Sequence, residues 1–285
     1  MTFTRGKRLA ATLFFVCLTF FCFSVLPRVA INSFYYPDSH LYHPQPAAAE
    51  HISFTAKDGT QLSGWFIPSS TGEPRDALAT VIHAHGNVGN MSAHWPLVSW
   101  LPEENVNVFM FDYRGFGESQ GIPSPEGLCD DTLSAIEYVR QRQDIDPQRI
   151  VLLGQSLGGN NVLAALGRGG KNPGIRAVIL DSTFYSYSSI ANQMIPGSGI
   201  LLDDSYSAER YIANVSPIPL LILHGGSDHV VPVEHSQRLF AMAGEPKKLI
   251  IIPQGDHIDA FSDRYHARYR NETMRFMKQA LSSQN

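Results

Sequence analysis

Cysteine is scarce: three in 285 residues. Cys17 and Cys22 sit in an apolar run and, five positions apart on a helix, face roughly 140° away from each other. Cys129 stands alone in a helical pattern, where it reads as a small buried apolar residue. This usage excludes a disulfide framework and zinc-ligand spacing. The His-Glu-x-x-His pattern of metalloproteases is also missing. Gly167-Arg168-Gly169-Gly170-Lys171 lacks both the first glycine at the required spacing and the Ser or Thr after the lysine, so there is no phosphate-binding loop. Basic excess is absent too. Lys and Arg number 22 against 26 Asp and Glu, a net charge of −4, which argues against a nucleic-acid-binding face.

Charge is missing altogether between Arg8 and Arg28. Arg5, Lys7, Arg8 and Arg28 give residues 1–28 a net +4 with no acid, leaving −8 on the rest of the chain. The uncharged run Leu9–Leu26 has 18 residues and as a helix would span about 27 Å, near the hydrocarbon thickness of a bilayer. Three basic residues before it and one after predict a single-pass anchor with a cytoplasmic N-terminus and the body on the translocated side. A cleaved signal peptide is the rival reading, but its apolar region is usually shorter. Cleavage at Val29-Ala30 would put Arg28 at position −3, and Ala47-Ala48-Ala49 lies too far downstream. A buried helix is the third reading, since Phe, Leu and Val surround this segment on every side. The expected organisation is an anchor at 1–30, a Pro-containing linker at 31–50, and a domain at 51–285.

Within that domain strands alternate with helices. Ile52–Thr55 and Gln61–Ile67 flank Asp58-Gly59, a hairpin signal. Short apolar strands are expected at Thr80–Ala84, Val106–Phe111, Ile150–Leu153, Ala177–Leu180, Leu220–Leu223 and Leu249–Ile252. Ser124-Pro125 is a helix cap followed by proline at the first helical position, and Leu128, Thr132, Ala135, Ile136 and Val139 form that helix's apolar stripe. A last helix carries Tyr265, Tyr269, Phe276 and Ala280 at helical spacing. Near-continuous apolar strands separated by helices predict an α/β fold, a mostly parallel sheet covered on both faces. Residues 183–216 are too long for an ordinary connection and read as an inserted lid. Its Phe184, Tyr185, Tyr187, Met194, Ile195, Leu201 and Leu202 are candidates to line an apolar acyl pocket.

Gly154-Gln155-Ser156-Leu157-Gly158-Gly159 follows a strand and opens a helix. A serine on so sharp a turn takes strained backbone angles and lifts its oxygen above the sheet. A serine hydroxyl needs a base, and the base needs an orienting carboxylate. Asp228 follows the strand Leu220–Leu223, and His257 follows the last strand, 72 and 29 residues on in turn. Ser156, Asp228 and His257 are thus the candidate triad. Asp181, after Ala177–Leu180, and Asp256 are rivals for the acid. An oxyanion needs two preorganised donors. One is the Leu157 N–H; the other comes from His85-Gly86-Asn87-Val88-Gly89-Asn90, with Asn87 assigned and Val88 as the alternative. Among the remaining histidines, His224 reads as a structural neighbour, and His229 and His235 as surface residues. His83 and His85 share a strand and are expected to face opposite sides.

These motifs, with Asp112-Tyr113-Arg114-Gly115-Phe116-Gly117-Glu118-Ser119, Val231-Pro232 and Gly255-Asp256-His257, resemble the α/β-hydrolase superfamily. The His-Gly-Asn-x-Gly-Asn form is similar to its membrane-anchored branch of small serine hydrolases. The resemblance covers residues 51–280. It implies an eight-stranded sheet, the triad Ser156, Asp228 and His257, an oxyanion hole at Asn87 and Leu157, and no metal or organic cofactor. One departure is that Asp256 precedes the histidine where many members have glycine. Relatives that cleave epoxides or carbon–halogen bonds carry aspartate at the elbow, and this chain has serine, which implies acyl transfer to water. The expected function is hydrolysis of an ester or thioester on a small acyl substrate, lipid included. A serine peptidase and a non-catalytic binding protein remain alternatives.

Overall fold

A computed structural model describes residues 12–17, 25–26, 31 and 34–282. The strands of its main sheet are β1 (Glu50–Thr55), β2 (Gln61–Ile67), β3 (Ala79–Ala84), β4 (Val106–Phe111), β5 (Ile150–Gln155), β6 (Ile175–Asp181), β7 (Leu220–Gly225) and β8 (Lys247–Ile252). They form one sheet in the order β8-β7-β6-β5-β3-β4-β2-β1. Only β2 runs antiparallel to its neighbours, paired through the Asp58-Gly59 turn to β1 and on its other side to β4. The eight strands and the parallel character match the expectation.

The helices are α1 (Met91–Val98), α2 (Pro125–Gln141), α3 (Leu157–Arg168), α4 (Tyr187–Met194), α5 (Glu234–Met242) and α6 (Arg268–Ser282). Successive strand residues point to opposite faces, and the two cores follow that alternation. Ile82, Leu152, Val178, Leu180 and Ile222 pack with Leu128 and Val139 of α2, Val162 and Leu163 of α3, and Leu239 of α5. Val81, Val151, Leu153, Ile179 and Leu221 pack with Met91 and Val98 of α1 and Tyr269, Met274 and Met277 of α6. Each such side chain contributes roughly 1.5–3 kcal/mol on burial, so both helix layers are held by the same strands. The Ser124 hydroxyl caps α2 by accepting from the Gly127 N–H. Tyr265 is not part of the last helix. His266 and Ala267 take positive φ of 46° and 61°, which a right-handed helix cannot run through, so Tyr265 falls in a turn ahead of α6. Cys129 is buried in the core as expected.

The membrane localisation expected from the N-terminal run is corrected. Among the described residues no helix is long and apolar enough to cross a membrane. Residues 12–17 are helical and exposed. The rest of 9–26, apart from Val25 and Leu26, lies outside the described residues. The single-pass arrangement, with the N-terminus cytoplasmic and the domain across the membrane, is therefore withdrawn.

The stretch read as a linker is partly docked. Tyr36–Pro37 pair in parallel with Val88–Gly89, in the loop after β3. Residues 183–216 hold α4 and three short turns, Ser198–Leu201, Ala208–Arg210 and Ile212–Val215, between β6 and β7.

Candidate active site

Ser156 stands between β5 and α3 with φ 53° and ψ −116°, a conformation costly for a residue with a side chain. Tight packing holds it there. The Ser156 N–H donates to the Asp181 carbonyl at 2.8 Å, and its own carbonyl accepts from Gly159 N–H at 3.1 Å. A Cβ at Gly158 would collide with the Ala84 carbonyl, and one at Gly154 with the Gly159 backbone. The glycines thus permit strand and helix to close on the turn that raises the serine.

The loops after β7 and β8 bring Asp228 and His257 together. Gly226 N–H donates to the Ile252 carbonyl and Ser227 N–H to that of Gly255, both at 2.8 Å. Gly225 leaves room for this approach, since a Cβ there would strike the Gly255 and Asp256 carbonyls. His257 Nδ1 then lies 2.8 Å from Asp228 Oδ2. A carboxylate only accepts, so Nδ1 carries the hydrogen and Nε2 keeps its lone pair. The other oxygen, Oδ1, accepts from the N–H groups of Val230 and Val231 at 2.9 and 2.8 Å. Burial by itself would raise the Asp228 pKa. Hydrogen bonding to the His224 and His257 rings and the Val231 N–H outweighs it and holds the carboxyl well below its usual range.

His224 does more than the sequence indicated. It is fully buried, with Nε2 2.7 Å from the Val231 carbonyl and 3.3 Å from Asp228 Oδ2. Nδ1 lies 2.6 Å from the Ser236 hydroxyl. The carbonyl fixes the hydrogen on Nε2, so His224 presents a donor edge to Asp228. The rival acids sit elsewhere. Asp256 Oδ1 accepts from the His257 main-chain N–H at 2.8 Å. Asp181 Oδ2 accepts from Gln155 Nε2 at 3.0 Å, while Gln155 Oε1 meets His83 Nε2 at 2.8 Å. Burial pushes the Asp181 carboxyl up to about 6.

The loop after β3 is braced from the sheet side. His85 Nδ1 donates to the Gly86 carbonyl at 2.7 Å, and its Nε2 stands 3.3 Å from Asp112 Oδ1. A trans peptide is planar, so fixing the Gly86 carbonyl also fixes the direction of the Asn87 N–H. Asp112 Oδ1 accepts the Met91 N–H, and the Tyr113 hydroxyl donates to the His85 carbonyl. Asp112 and Tyr113 therefore brace this loop, while Arg114 pairs with Asp131 and Asp58 instead. His83 and His85 do not face opposite sides: two positions apart on an extended chain they point the same way, and both rings come near His94 of α1, with centroids 6.3 and 5.3 Å away. Burial pushes the His83 pKa down to about 3 and lowers that of His94 as well. Among the described residues no group of three His, Cys, Asp or Glu side chains could hold a metal.

A cavity of about 340 Å³ joins Ser156, Leu157, Asn87 and Val88. Phe34, Tyr36, Phe184, Ile190, Met194, His229, Val230 and Val231 complete its wall. Of the lid candidates only Phe184 and Met194 line it. Tyr187 is buried against Tyr35, Tyr185 stacks under Arg238, and Ile195 is exposed. His235 is buried rather than on the surface. Its Nδ1 accepts from the Tyr185 N–H and Nε2 meets Gln193 Oε1, both at 2.9 Å, and burial pushes its pKa down to about 4. Nothing local marked Phe34, Tyr36 or His94 for this site, because each arrives through long-range packing.

A model of the alpha/beta hydrolase fold matches residues 79–199. The uncharacterized protein YfhR of Salmonella typhimurium is 65% identical over 291 residues, covering 99% of this chain and 100% of that one. The alpha/beta hydrolase domain-containing protein WAV2 of Arabidopsis thaliana is 32% identical over 232 residues, with 74% of this chain and 73% of that one covered. Among solved structures, a Pyrococcus furiosus esterase shares 21% identity and superposes with a TM-score of 0.69 over 86% of this chain and 98% of that one. At that identity the likeness establishes the fold.

Proposed function

The chain belongs to the α/β-hydrolase superfamily, and on that premise we propose that it is a serine hydrolase that cleaves an ester or thioester through a covalent acyl-enzyme. One observation carries this reading: His257 Nδ1 lies 2.8 Å from a buried, strongly acidic Asp228, whose loop residues Val230 and Val231 line one cavity with the strained Ser156. Ser156 Oγ attacks the substrate carbonyl, and His257 Nε2 takes the hydroxyl proton. Asp228 holds the ring in the required tautomer and stabilises the imidazolium. The N–H groups of Leu157 and Asn87 receive the oxyanion. As the tetrahedral adduct collapses, the proton passes from His257 to the departing alkoxide or thiolate. Water then attacks the acyl-enzyme by the same route, releasing the acid and restoring Ser156. The apolar cavity wall favours an uncharged acyl group, lipid chains included.

The test is labelling with a serine-reactive fluorophosphonate together with hydrolysis of one activated ester. The unaltered protein should label and turn over, and Ser156→Ala and His257→Ala should do neither. Ester hydrolysis that survives Ser156→Ala at the original rate would sink the proposal.

A further inference from the structure

The segment before the first strand of the sheet makes more contacts with the candidate site than a connector needs. Tyr36 N–H donates to the Asn87 carbonyl at 3.0 Å and Asp38 N–H to that of Gly89 at 3.2 Å. In return, Asn87 Nδ2 donates to the Phe34 carbonyl at 2.9 Å, and Asn90 Nδ2 to those of Asp38 and His40 at 2.9 and 2.8 Å. Successive residues of this extended stretch alternate. Phe34 and Tyr36 line the cavity with Ser156, while Tyr35 between them turns inward, its hydroxyl 3.3 Å from that of Tyr187 at the start of α4. The Phe34 ring also meets Tyr187 edge-on, with centroids 5.9 Å apart.

Building on the serine-hydrolase reading above, we propose that Phe34–Asp38 is a strap that positions the oxyanion loop through Asn87 and sets acyl specificity through Phe34 and Tyr36. The peptide before Asn87 is fixed by His85, and the peptide after it is fixed by the strap at the Asn87 carbonyl. Val88 is exposed, so on that side side-chain packing contributes little, and the strap's hydrogen bonds hold the loop together with His94, whose Nε2 lies 3.1 Å from the Val88 carbonyl. A donor held in place before the charge forms costs no reorganisation when it does. Asn87 thereby acts twice: its N–H is a candidate oxyanion donor, and its carboxamide ties that donor to the strap.

The experiment uses the full chain with Tyr36→Ala, Phe34→Ala and Asn87→Ala. Acetyl and octanoyl esters of one activated alcohol serve as substrates, with kcat and KM measured separately and folding followed by thermal melt. Tyr36 is half exposed, so Tyr36→Ala folds even if Phe34→Ala does not. The two wall variants should change the octanoyl-to-acetyl ratio of kcat/KM by at least about fivefold. Asn87→Ala should lower kcat about tenfold on both esters while leaving that ratio and KM in place, a split that loss of packing alone would not give. An unchanged ratio in Tyr36→Ala, together with unchanged kcat in Asn87→Ala, overturns the strap proposal. Ser156→Ala is run beside them. If it keeps full activity, the serine-hydrolase reading has failed; if it is dead while the strap variants match the unaltered protein, only the strap proposal falls.

Discussion

Two buried carboxylates stand at the ends of adjacent strands, Asp181 closing β6 and Asp228 just past β7, and the protein treats them oppositely. Desolvation pushes both pKa values up. At Asp181 a Gln155 hydrogen bond is too little to offset it, and the group rises to about 6. At Asp228 two histidine rings and two backbone N–H groups converge, and the group falls well below the ordinary range. Burial is thus shared, and the donors decide. A carboxylate that must stay charged beside an imidazolium needs the second environment. The first suits a structural acid, which here ties β5 to β6 beside the Ser156 turn.

The sharpest way to break this contrast is to neutralise each acid in turn. Asp228→Asn should lower kcat by at least about 10²-fold, and by as much as about 10⁴, because Nδ1 of His257 then loses its required acceptor. Asp181→Asn and Asp256→Asn should each cost less than about threefold. Assays on one activated ester, with melts to confirm folding, rank the three. A crippled Asp181→Asn beside a nearly silent Asp228→Asn would reverse the assignment.

A smaller effect separates the two acids through stability. Asp181 is raised in the folded protein, so between about pH 4 and pH 6 the folded state keeps a proton that the unfolded chain has released. Stability then falls as pH rises through that window, by roughly 3 kcal/mol for a shift of about two units. Asp228 has the opposite sign. Its contribution is present above about pH 4 and is lost as pH falls below it. Urea melts from pH 4 to pH 7 should show Asp181→Asn gaining on the unaltered protein as pH rises. A difference that stays flat with pH would mean Asp181 is ionised when folded.

The smallest expected effect tests the ring behind Asp228. His224→Phe removes the donor edge and leaves the Val231 carbonyl unpaired, which should cost about 1–3 kcal/mol of stability. It should also reduce kcat about tenfold with KM little changed. If kcat holds while stability drops, His224 supports the fold without tuning the acid.

Much of the fold was legible in the chain because it rests on local periodicity. Apolar strands such as Ile150–Leu153 and Leu220–Leu223, the Ser124 cap and the Asp58-Gly59 turn each carry their physics within a few residues. The candidate nucleophile was legible for the same reason, since Gly154 and Gly158 flank Ser156 at the spacing that its strained turn requires. The order of Ser156, Asp228 and His257 along the chain was readable as well. What failed was inference beyond an element's end. Tyr265 left its helix, and the 9–26 run gave no described helix that could span a membrane. Which way each acid is shifted, which aromatic residues line the cavity, and that Phe34–Asp38 hydrogen-bonds to the loop at Asn87 were decided only by tertiary structure. Desolvation and hydrogen bonding depend on neighbours brought together from far along the chain, and the Asn87 amide bonds a carbonyl 53 positions away. Sequence sets the periodicity that builds the sheet; only the closed sheet fixes which groups lose water and which find a partner.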